Sequence, residues 1–301
     1  MNNIILLILC FVAGILLHRY KRMPVNAPAV LNRFIIHVSL PSLTLLYVHD
    51  LKFSSHVLLM AAMVWICFAL AAGFFLFLGR RLALPQRTVG ALILTGGLGN
   101  TSYFGLPMIE AYYGHQGLAS GIIIDQLGSF LVLSTLGITV AGIYSSGRPG
   151  IGEMFKRIVQ FPPFIALALA LLLIPMDYPS WLTAILKRMG DTLAPLALVA
   201  VGFQLRLGHL AGNGRNLALG LSFKLVLAPL AMFLLYVVLF GARGEAIQVT
   251  LFEAGMPPMI TAAILATEHD LDPPLATLMV AVGLMISFAT LTAWWWLMRG
   301  V

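Results

Sequence analysis

Long, uniform runs of apolar residues separated by short polar connections make up most of the 301-residue chain. Apolar and polar residues do not alternate within a run, and this pattern predicts helices rather than the strands of a membrane barrel. A helix needs about 20 apolar residues to cross a bilayer. The pattern therefore predicts an all-α polytopic membrane protein with ten transmembrane helices. The ten runs lie near residues 2–18, 29–48, 55–79, 88–113, 117–144, 158–175, 181–205, 216–240, 244–267 and 273–298.

Two of the ten runs are interrupted by residues that weaken helices. Run four contains Thr95-Gly-Gly-Leu-Gly-Asn-Thr-Ser-Tyr-Phe-Gly-Leu-Pro107, and run nine contains Glu253-Ala-Gly-Met-Pro-Pro258. Glycine and proline destabilise a helix interior, and within a bilayer the freed backbone groups must be covered by protein or line a cavity. Broken helices at matching places of two half-chains are typical of the binding site of a transporter.

The longest polar stretch, residues 145–153, lies near the midpoint and divides the chain into residues 1–150 and 151–301. Each half then contains five helices, and because five is odd the two halves have opposite orientations in the membrane. Matching features support the division: Pro41 and Pro195 lie in the second helix of each half, and the breaks lie in the fourth. The sequence thus predicts an inverted 5+5 repeat that forms one transport unit.

The basic residues are distributed unequally between the two sides of the predicted membrane. With ten helices and an external N-terminus, thirteen Lys and Arg residues lie on one side and five on the other. The positive-inside rule makes the richer side cytoplasmic and places both termini outside the cytoplasm. The net charge of +7 is therefore explained by topology, and no nucleic-acid partner is predicted. The thirteen are Arg19, Lys21, Arg22, Arg33, Arg80, Arg81, Arg87, Arg148, Lys156, Arg157, Arg206, Arg215 and Lys224, and the five are Lys52, Lys187, Arg188, Arg243 and Arg299.

The two breaks are predicted to bind a small organic anion, most simply a carboxylate. Pro107 and Pro257-Pro258 are each expected in the first turn of a second half-helix, a position that tolerates proline. The unpaired N–H groups and the positive dipole at the start of such a half-helix attract anions. Side chains at the first break add hydrogen-bond donors and acceptors. The predicted substrate-binding residues are Asn100, Thr101, Ser102, Tyr103, Gly105, Pro107, Met256, Pro257 and Pro258.

Glu253 and Asp125 are the candidates for ion coupling, because charge within a membrane span is costly and marks an ion or proton pathway. Glu253 directly precedes the second break, where a carboxylate beside unwound carbonyls can hold Na⁺ or a proton. Lys224, in run eight, either extends to the interface or pairs with an acid in the core. No cofactor and no metal site are predicted, since Cys10 and Cys67 both lie within apolar runs.

The segment Asn100-Thr-Ser-Tyr-Phe-Gly-Leu-Pro107 resembles the Asn-Thr-x-x-x-Gly-x-Pro signature of the auxin efflux carrier family, which includes many bacterial carboxylate permeases. The resemblance extends to Leu40-Pro41, Ala194-Pro195 with Gly202, Lys224 with Pro229, and Met256-Pro257. It implies crossover helices four and nine, a scaffold of helices 1, 2, 6 and 7, a mobile elevator core of helices 3–5 and 8–10, and a homodimer. It also implies that Asn100 and Thr101 contact the substrate, that Gly105 and Pro107 shape the first crossover, and that Met256 and Pro257 shape the second.

The resulting expectation is a secondary transporter of the bacterial inner membrane, coupled to Na⁺ or H⁺ or driven by the membrane potential alone. Glu253-Ala-Gly-Met256 also resembles the Glu-x-Gly-Met stretch of bile-acid/sodium symporters, in which the glutamate helps to bind Na⁺. A symporter of that type is the first alternative. A membrane-embedded enzyme is the alternative from another class, but the sequence offers no nucleophile–base pair or metal-ligand cluster, so no enzymatic activity is expected. A sensor without transport activity is a third alternative.

Overall fold

The computed structural model describes residues 2–48, 55–145, 156, 159–204 and 213–301, and these residues are almost entirely helical. Four of the basic residues counted above, Lys52, Arg148, Arg157 and Arg206, lie outside the described residues, as does most of the polar stretch at the midpoint. The helices are α1 Asn2–Arg19, α2 Ala27–Val48, α3 Ser55–Arg81, α4 Gln86–Gly97, α5 Leu106–Tyr113, α6 His115–Tyr144, α7 Pro162–Leu173, α8 Ser180–Gly190, α9 Leu193–Gln204, α10 Gly214–Leu239, α11 Glu245–Ala254, α12 Ile260–Glu268 and α13 Pro273–Leu297.

Five helices of the described part of the chain, α2, α3, α6, α10 and α13, are long and apolar enough to cross a membrane. Large apolar side chains remain exposed on the outer faces of several helices, among them Leu58, Leu172 and Leu239. Such side chains are stable in contact with lipid and unfavourable in water. The chain is therefore an all-α, multi-pass membrane protein.

Two predicted breaks are confirmed, and one further division was not predicted. Run four is divided into α4 and α5, and run nine into α11 and α12. Run seven is also divided, into α8 and α9, by a turn at residues 191–192. Gly190 ends α8 where its helix lies against Leu43 of α2, and a Cβ at Gly190 would be 2.8 Å from Leu43 Cγ. The absence of a side chain at Gly190 thus allows α8 to approach α2 closely.

Glycines allow α1 and α9 to pack with their backbones close together. A Cβ on Gly14 would lie 2.8 Å from the backbone nitrogen of Phe203, and one on Gly202 would lie 3.3 Å from the Cα atom of Gly14. Small residues at helix crossings are a common device for packing in membranes, where lipid supplies no hydrophobic driving force between helices. α2 packs against α7, α8 and α9. These five helices occupy the runs that were predicted to form the scaffold.

Three of the π-helical segments among the described residues carry buried polar residues of the core, namely Thr101, Asp125 with Gln126, and Lys224. Residues Thr101–Gly105 form a π-helical turn that leads into α5, Ile124–Phe130 form one within α6, and Phe223–Leu227 form one within α10. A π-helical turn inserts one residue relative to an α-helix, and such turns are frequent at functional sites. The inserted residue changes the face of the helix on which the following side chains lie, so these turns decide which polar residues meet.

Candidate functional site

The two unwound segments cross, and backbone hydrogen bonds join them. The first crossover segment, residues 98–100, follows α4, and the second crossover segment, residues 255–259, follows α11. The N–H of Asn100 donates to the carbonyl oxygen of Pro257 at 2.8 Å, and the N–H of Met259 donates to that of Leu98 at 2.9 Å. Together they form an antiparallel bridge between Gly99 and Pro258. Backbone groups freed by one break therefore find partners in the other, as a bilayer interior requires.

The prolines of the second crossover segment suit this bridge, because it needs no N–H group from either of them. The prediction that Pro257 and Pro258 begin a half-helix is wrong, since α12 begins at Ile260. Pro258 instead packs against α13, where a Cβ on Gly283 would lie 2.6 Å from the Cδ atom of Pro258. Pro107 does lie in the first turn of α5, as predicted.

Two of the glycines at the first break serve close packing rather than unwinding. Gly96 and Gly97 both belong to α4. A Cβ on Gly96 would lie 2.6 Å from the ring of Phe75, and one on Gly97 would lie 2.8 Å from the ring of Phe68. Both rings belong to α3. The glycines thus press the end of α4 against α3, and the helix unwinds only after them.

Asp125 holds the turn that follows the first crossover segment. It is 3% exposed. The hydroxyl of Thr101 donates to its Oδ1 atom at 2.6 Å, the hydroxyl of Ser102 donates to the same atom, and the amide nitrogen of Gln126 donates to its Oδ2 atom at 2.9 Å. Hydrogen bonds to an ionised group are among the stronger ones in proteins. The carboxyl group of Asp125 is therefore well satisfied by neighbouring donors.

Asn100 both completes the turn and retains free donors. Its Oδ1 atom accepts from the N–H of Phe104 at 3.3 Å, and its backbone carbonyl accepts from the N–H of Gly105 at 2.9 Å. Its side-chain nitrogen is buried and has no hydrogen-bond partner among the described protein residues. A buried polar group without a partner is costly unless a ligand satisfies it. The Asn100 amide is accordingly a candidate donor for a ligand at the crossing.

Lys224 lies in the core beside both crossover segments. It is 2% exposed, and its Nζ atom donates to the carbonyl oxygen of Ala254, the last residue of α11, at 2.9 Å. A Cβ on Gly99 would lie 3.1 Å from the same Nζ atom. Of the two alternatives left by the sequence, extension to the interface is therefore wrong. The ammonium group interacts with the negative, carbonyl end of α11, and it lies close enough to Glu253 for the two groups to interact electrostatically.

Glu253 is buried at 1% exposure, and neither of its carboxyl oxygens has a hydrogen-bond partner among the described protein residues. The carboxyl group of Glu253 faces the backbone of the π-helical turn Thr101–Gly105, because a Cβ on Gly105 would lie 2.7 Å from its Oε1 atom. Gly121 of α6 faces the same oxygen from the other side, at 3.7 Å from a Cβ built there. The two predicted acids thus lie in one core but in different environments.

The predicted substrate residues are assembled at the crossing, although they are not equally accessible. Ser102 and Tyr103 are half-buried, and the other seven are buried: Asn100, Thr101, Gly105, Pro107, Met256, Pro257 and Pro258. Gln126 and Gly121 contribute to the same core and were not predicted. Gln126 directly follows Asp125 within a π-helical turn, but the sequence does not show that its side chain turns back to donate to that carboxyl group.

A cavity of about 350 Å³ lies between helices of the predicted scaffold and helices of the predicted core. Val25, Val201 and Phe203 line its scaffold side. Its other side is formed by α12 and α13 and includes the polar residues Thr267, Glu268 and Thr277. None of the nine predicted substrate residues lines the cavity, but Ile260, which directly follows the second crossover segment, does. The cavity thus borders the crossing without reaching Asn100.

Comparison with known proteins identifies the family. Residues 1–146 and 151–295 match the model of a family described as "Membrane transport protein". The chain is 30% identical over 270 residues to an "Uncharacterized transporter" of Methanothermobacter thermautotrophicus, covering 88% of this chain and 87% of that protein. It is 24% identical over 299 residues to a "Putative malonate transporter" of Rhizobium meliloti, covering 95% and 92% of the two chains. The chain therefore belongs to the membrane transport protein family, and its resemblance to the auxin efflux carriers is confirmed.

Proposed function

We propose that this member of the membrane transport protein family is a secondary transporter for a small organic anion, most simply a carboxylate, and that it works by elevator-type alternating access. The observation that carries the proposal is the crossing of two broken helices, bridged between Gly99 and Pro258. Substrate sites of secondary transporters lie where such discontinuous helices meet near the bilayer midplane.

The chemistry of the crossing favours an anion. The turn that leads into α5 begins at Thr101, and α12 begins at Ile260, so two helix starts lie next to the bridge. Helix starts attract negative charge. The side-chain nitrogen of Asn100 adds a donor that has no protein partner among the described residues. A relative is named as a malonate transporter, and we take malonate as the first candidate substrate.

The cavity supports movement between two rigid parts. It separates α2 and α9 from α12 and α13, and sliding along such a boundary would expose the crossing to one side of the membrane at a time. The proposal includes ten helices in an inverted 5+5 repeat, a homodimer in the bacterial inner membrane, and termini outside the cytoplasm.

Contacts between loops support this topology. Arg87 at the start of α4 pairs with Asp270, beyond the end of α12, on the side predicted to be cytoplasmic. On the predicted opposite side, the side chain of Arg243 donates to the carbonyl oxygen of Gly300 at 3.3 Å. The acidic loop at residues 268–272 therefore has a basic partner on its own side, which explains its occurrence at a predicted cytoplasmic face.

The proposal can be tested by measuring the uptake of labelled malonate and of other small labelled carboxylates into proteoliposomes that contain the protein. Asn100→Ala should lower uptake strongly, because a hydrogen bond to a charged group contributes about 1.5–3 kcal/mol, or about 10- to 100-fold in affinity. The matched control is Asn213→Ala, at a helix start where the side chain forms no cap hydrogen bond. Equal uptake by Asn100→Ala and wild type would show that the first crossover segment is not part of the substrate site. No binding of any carboxylate in a thermal-shift screen would contradict the substrate class.

A further inference from the structure

The pocket around Glu253 is shaped to hold a carboxyl group and offers it little polar contact. Gly105 and Gly121 border it, and a side chain at Gly105 would collide with the Oε1 atom. Side-chain atoms of Leu106 and Ile109 lie close to Gly121. A Cβ built on Gly121 would lie 2.9 Å from the Cδ2 atom of Leu106. Leu106 and Ile109 are both apolar and buried. The carboxyl group therefore lies against glycine backbone and aliphatic side chains.

Each of the other two charges in the core already has partners. Asp125 accepts three side-chain hydrogen bonds, and Lys224 donates to the carbonyl oxygen of Ala254. Both interact electrostatically with Glu253. Among the elements packed against α11, Asp125 faces Glu253 from α6, Lys224 faces it from α10, and Cys67 of α3 lies beside Lys224. On α5, Tyr112 and Tyr113 contact the neighbouring Phe252.

The balance of charge determines what Glu253 can hold. Asp125 and Lys224 act on Glu253 with opposite signs, so ionisation of all three groups would leave a single net negative charge, with the carboxylate of Glu253 in an apolar pocket. A buried carboxylate without a hydrogen-bond donor takes up a proton, because its hydration has been lost and no hydrogen bond replaces it.

A bound Na⁺ would compensate the charge equally well, but it requires several oxygen ligands, commonly carbonyls at the ends of unwound helices. The carbonyl of Ala254, at the end of α11, already accepts from the ammonium group of Lys224. No group of three or more His, Cys, Asp or Glu side chains that could hold a metal ion occurs in the described part of the chain.

We propose that Glu253 is a proton-binding site and not a Na⁺ site, so that the proton is the coupling ion of this carrier. The ammonium group of Lys224 takes the place that a free cation would occupy at the carbonyl end of α11. Asp125 is a fixed charge that positions Thr101 and Ser102. As a statement about coupling, the inference rests on the proposed function; as a statement about what Glu253 binds, it can be tested without any substrate.

The first experiment is infrared spectroscopy of the purified protein in lipid at neutral pH. The spectrum of wild type minus that of Glu253→Gln should contain the C=O stretching band of a neutral carboxylic acid. Glu245→Gln is the matched control, because Glu245 is exposed at the start of the same helix and should give carboxylate bands instead. Carboxylate bands in the Glu253→Gln difference spectrum would overturn the proposal.

The second experiment needs no variant. The melting temperature of wild-type protein is compared in NaCl and KCl at equal concentrations and at several pH values. A ligand that binds only the folded protein raises its stability by mass action, so a bound Na⁺ would raise the melting temperature in NaCl above that in KCl. Because we propose that Na⁺ does not bind, we expect equal melting temperatures in the two salts. A rise specific to Na⁺ would overturn the proposal. If no carboxylate binds but the neutral-acid band is present, the proposed function is wrong and the proton-binding site at Glu253 is supported. If a carboxylate binds but the neutral-acid band is absent, the transporter function is supported and the proton-binding site is wrong.

Discussion

The two crossover segments meet at one bridge but are built in opposite ways. The first comprises residues 98–100 and continues directly into a turn whose hydroxyl groups donate to Asp125. The second comprises residues 255–259 and contains two prolines, and none of its side chains carries a hydrogen-bond donor. The first is thus held by polar side chains, whereas the second is held by the bridge and by packing against Gly283. Donors for an anion are concentrated on one side of the crossing and the partnerless carboxyl group on the other.

This difference separates two tasks that one site must perform. A rigid, hydrogen-bonded turn can present the Asn100 amide in a fixed orientation, which lowers the entropic cost of binding an anion. An apolar segment beside Glu253 excludes competing ligands, so that a proton is the simplest species to bind there. The following predictions test whether the two tasks are separate, beginning with the largest expected effect.

Asp125→Ala should cause the largest loss, because it removes the acceptor of three side-chain hydrogen bonds and leaves the buried donors of Thr101 and Gln126 without a partner. Breaking a buried charge arrangement from one side costs about 3–5 kcal/mol. We expect a clear fall in melting temperature and loss of malonate uptake. Asp177→Ala, at an exposed position, is the control. A variant with wild-type stability would show that Asp125 does not hold the first turn.

Lys224→Met should be the next most damaging, since it leaves the carbonyl oxygen of Ala254 without its donor. An unsatisfied buried acceptor alone costs about 1–3 kcal/mol. The informative measurement is the double variant with Glu253→Gln in thermal unfolding. A neutral Glu253 predicts that the second change adds little. Recovery of stability in the double variant would mean that Glu253 is ionised and that Lys224 compensates it.

Gly105→Ala probes the contact between the two segments by shape alone. The added Cβ would lie 2.7 Å from Oε1 and 3.0 Å from Oε2 of Glu253, and overpacking of this kind costs about 1–3 kcal/mol. Gly73→Ala is the matched control, because nothing lies within 4 Å of a Cβ built there. The combination of Gly105→Ala with Glu253→Ala should regain part of the lost stability. If it does not, the collision lies with the backbone instead of with the carboxyl group.

The helical runs and both breaks were predictable because their causes are local. Apolar composition over about 20 residues identifies spans, and Gly or Pro within a span identifies a break. Asn100, Asp125 and Glu253 were found in the same way, as polar groups where lipid tolerates few. Their contacts were not predictable, since contacts depend on which face of each helix meets its neighbour. The π-helical turns containing Asp125 and Lys224 shift that face by one residue. Gly121 and Gln126 were missed because no local pattern shows which neighbours their helix faces.

Arg87→Gln should have the smallest effect, and it tests whether the crossing is also joined at its periphery. Arg87 begins the helix that leads to the first crossover segment, and Asp270 follows the helix that leaves the second. Both side chains are largely exposed, so the pair is expected to contribute about 0.2–1 kcal/mol and to weaken as salt screens it. The neighbouring hydrogen bond from Thr88 to Asp272, at 2.7 Å, is partly buried and should persist. Melting temperatures measured at low and high salt distinguish the ion pair from the hydrogen bond. The difference in melting temperature between wild type and Arg87→Gln should vanish at high salt, whereas that between wild type and Thr88→Val should remain. A salt-independent Arg87→Gln effect would mean that the ion pair supports the crossing more than its exposure suggests.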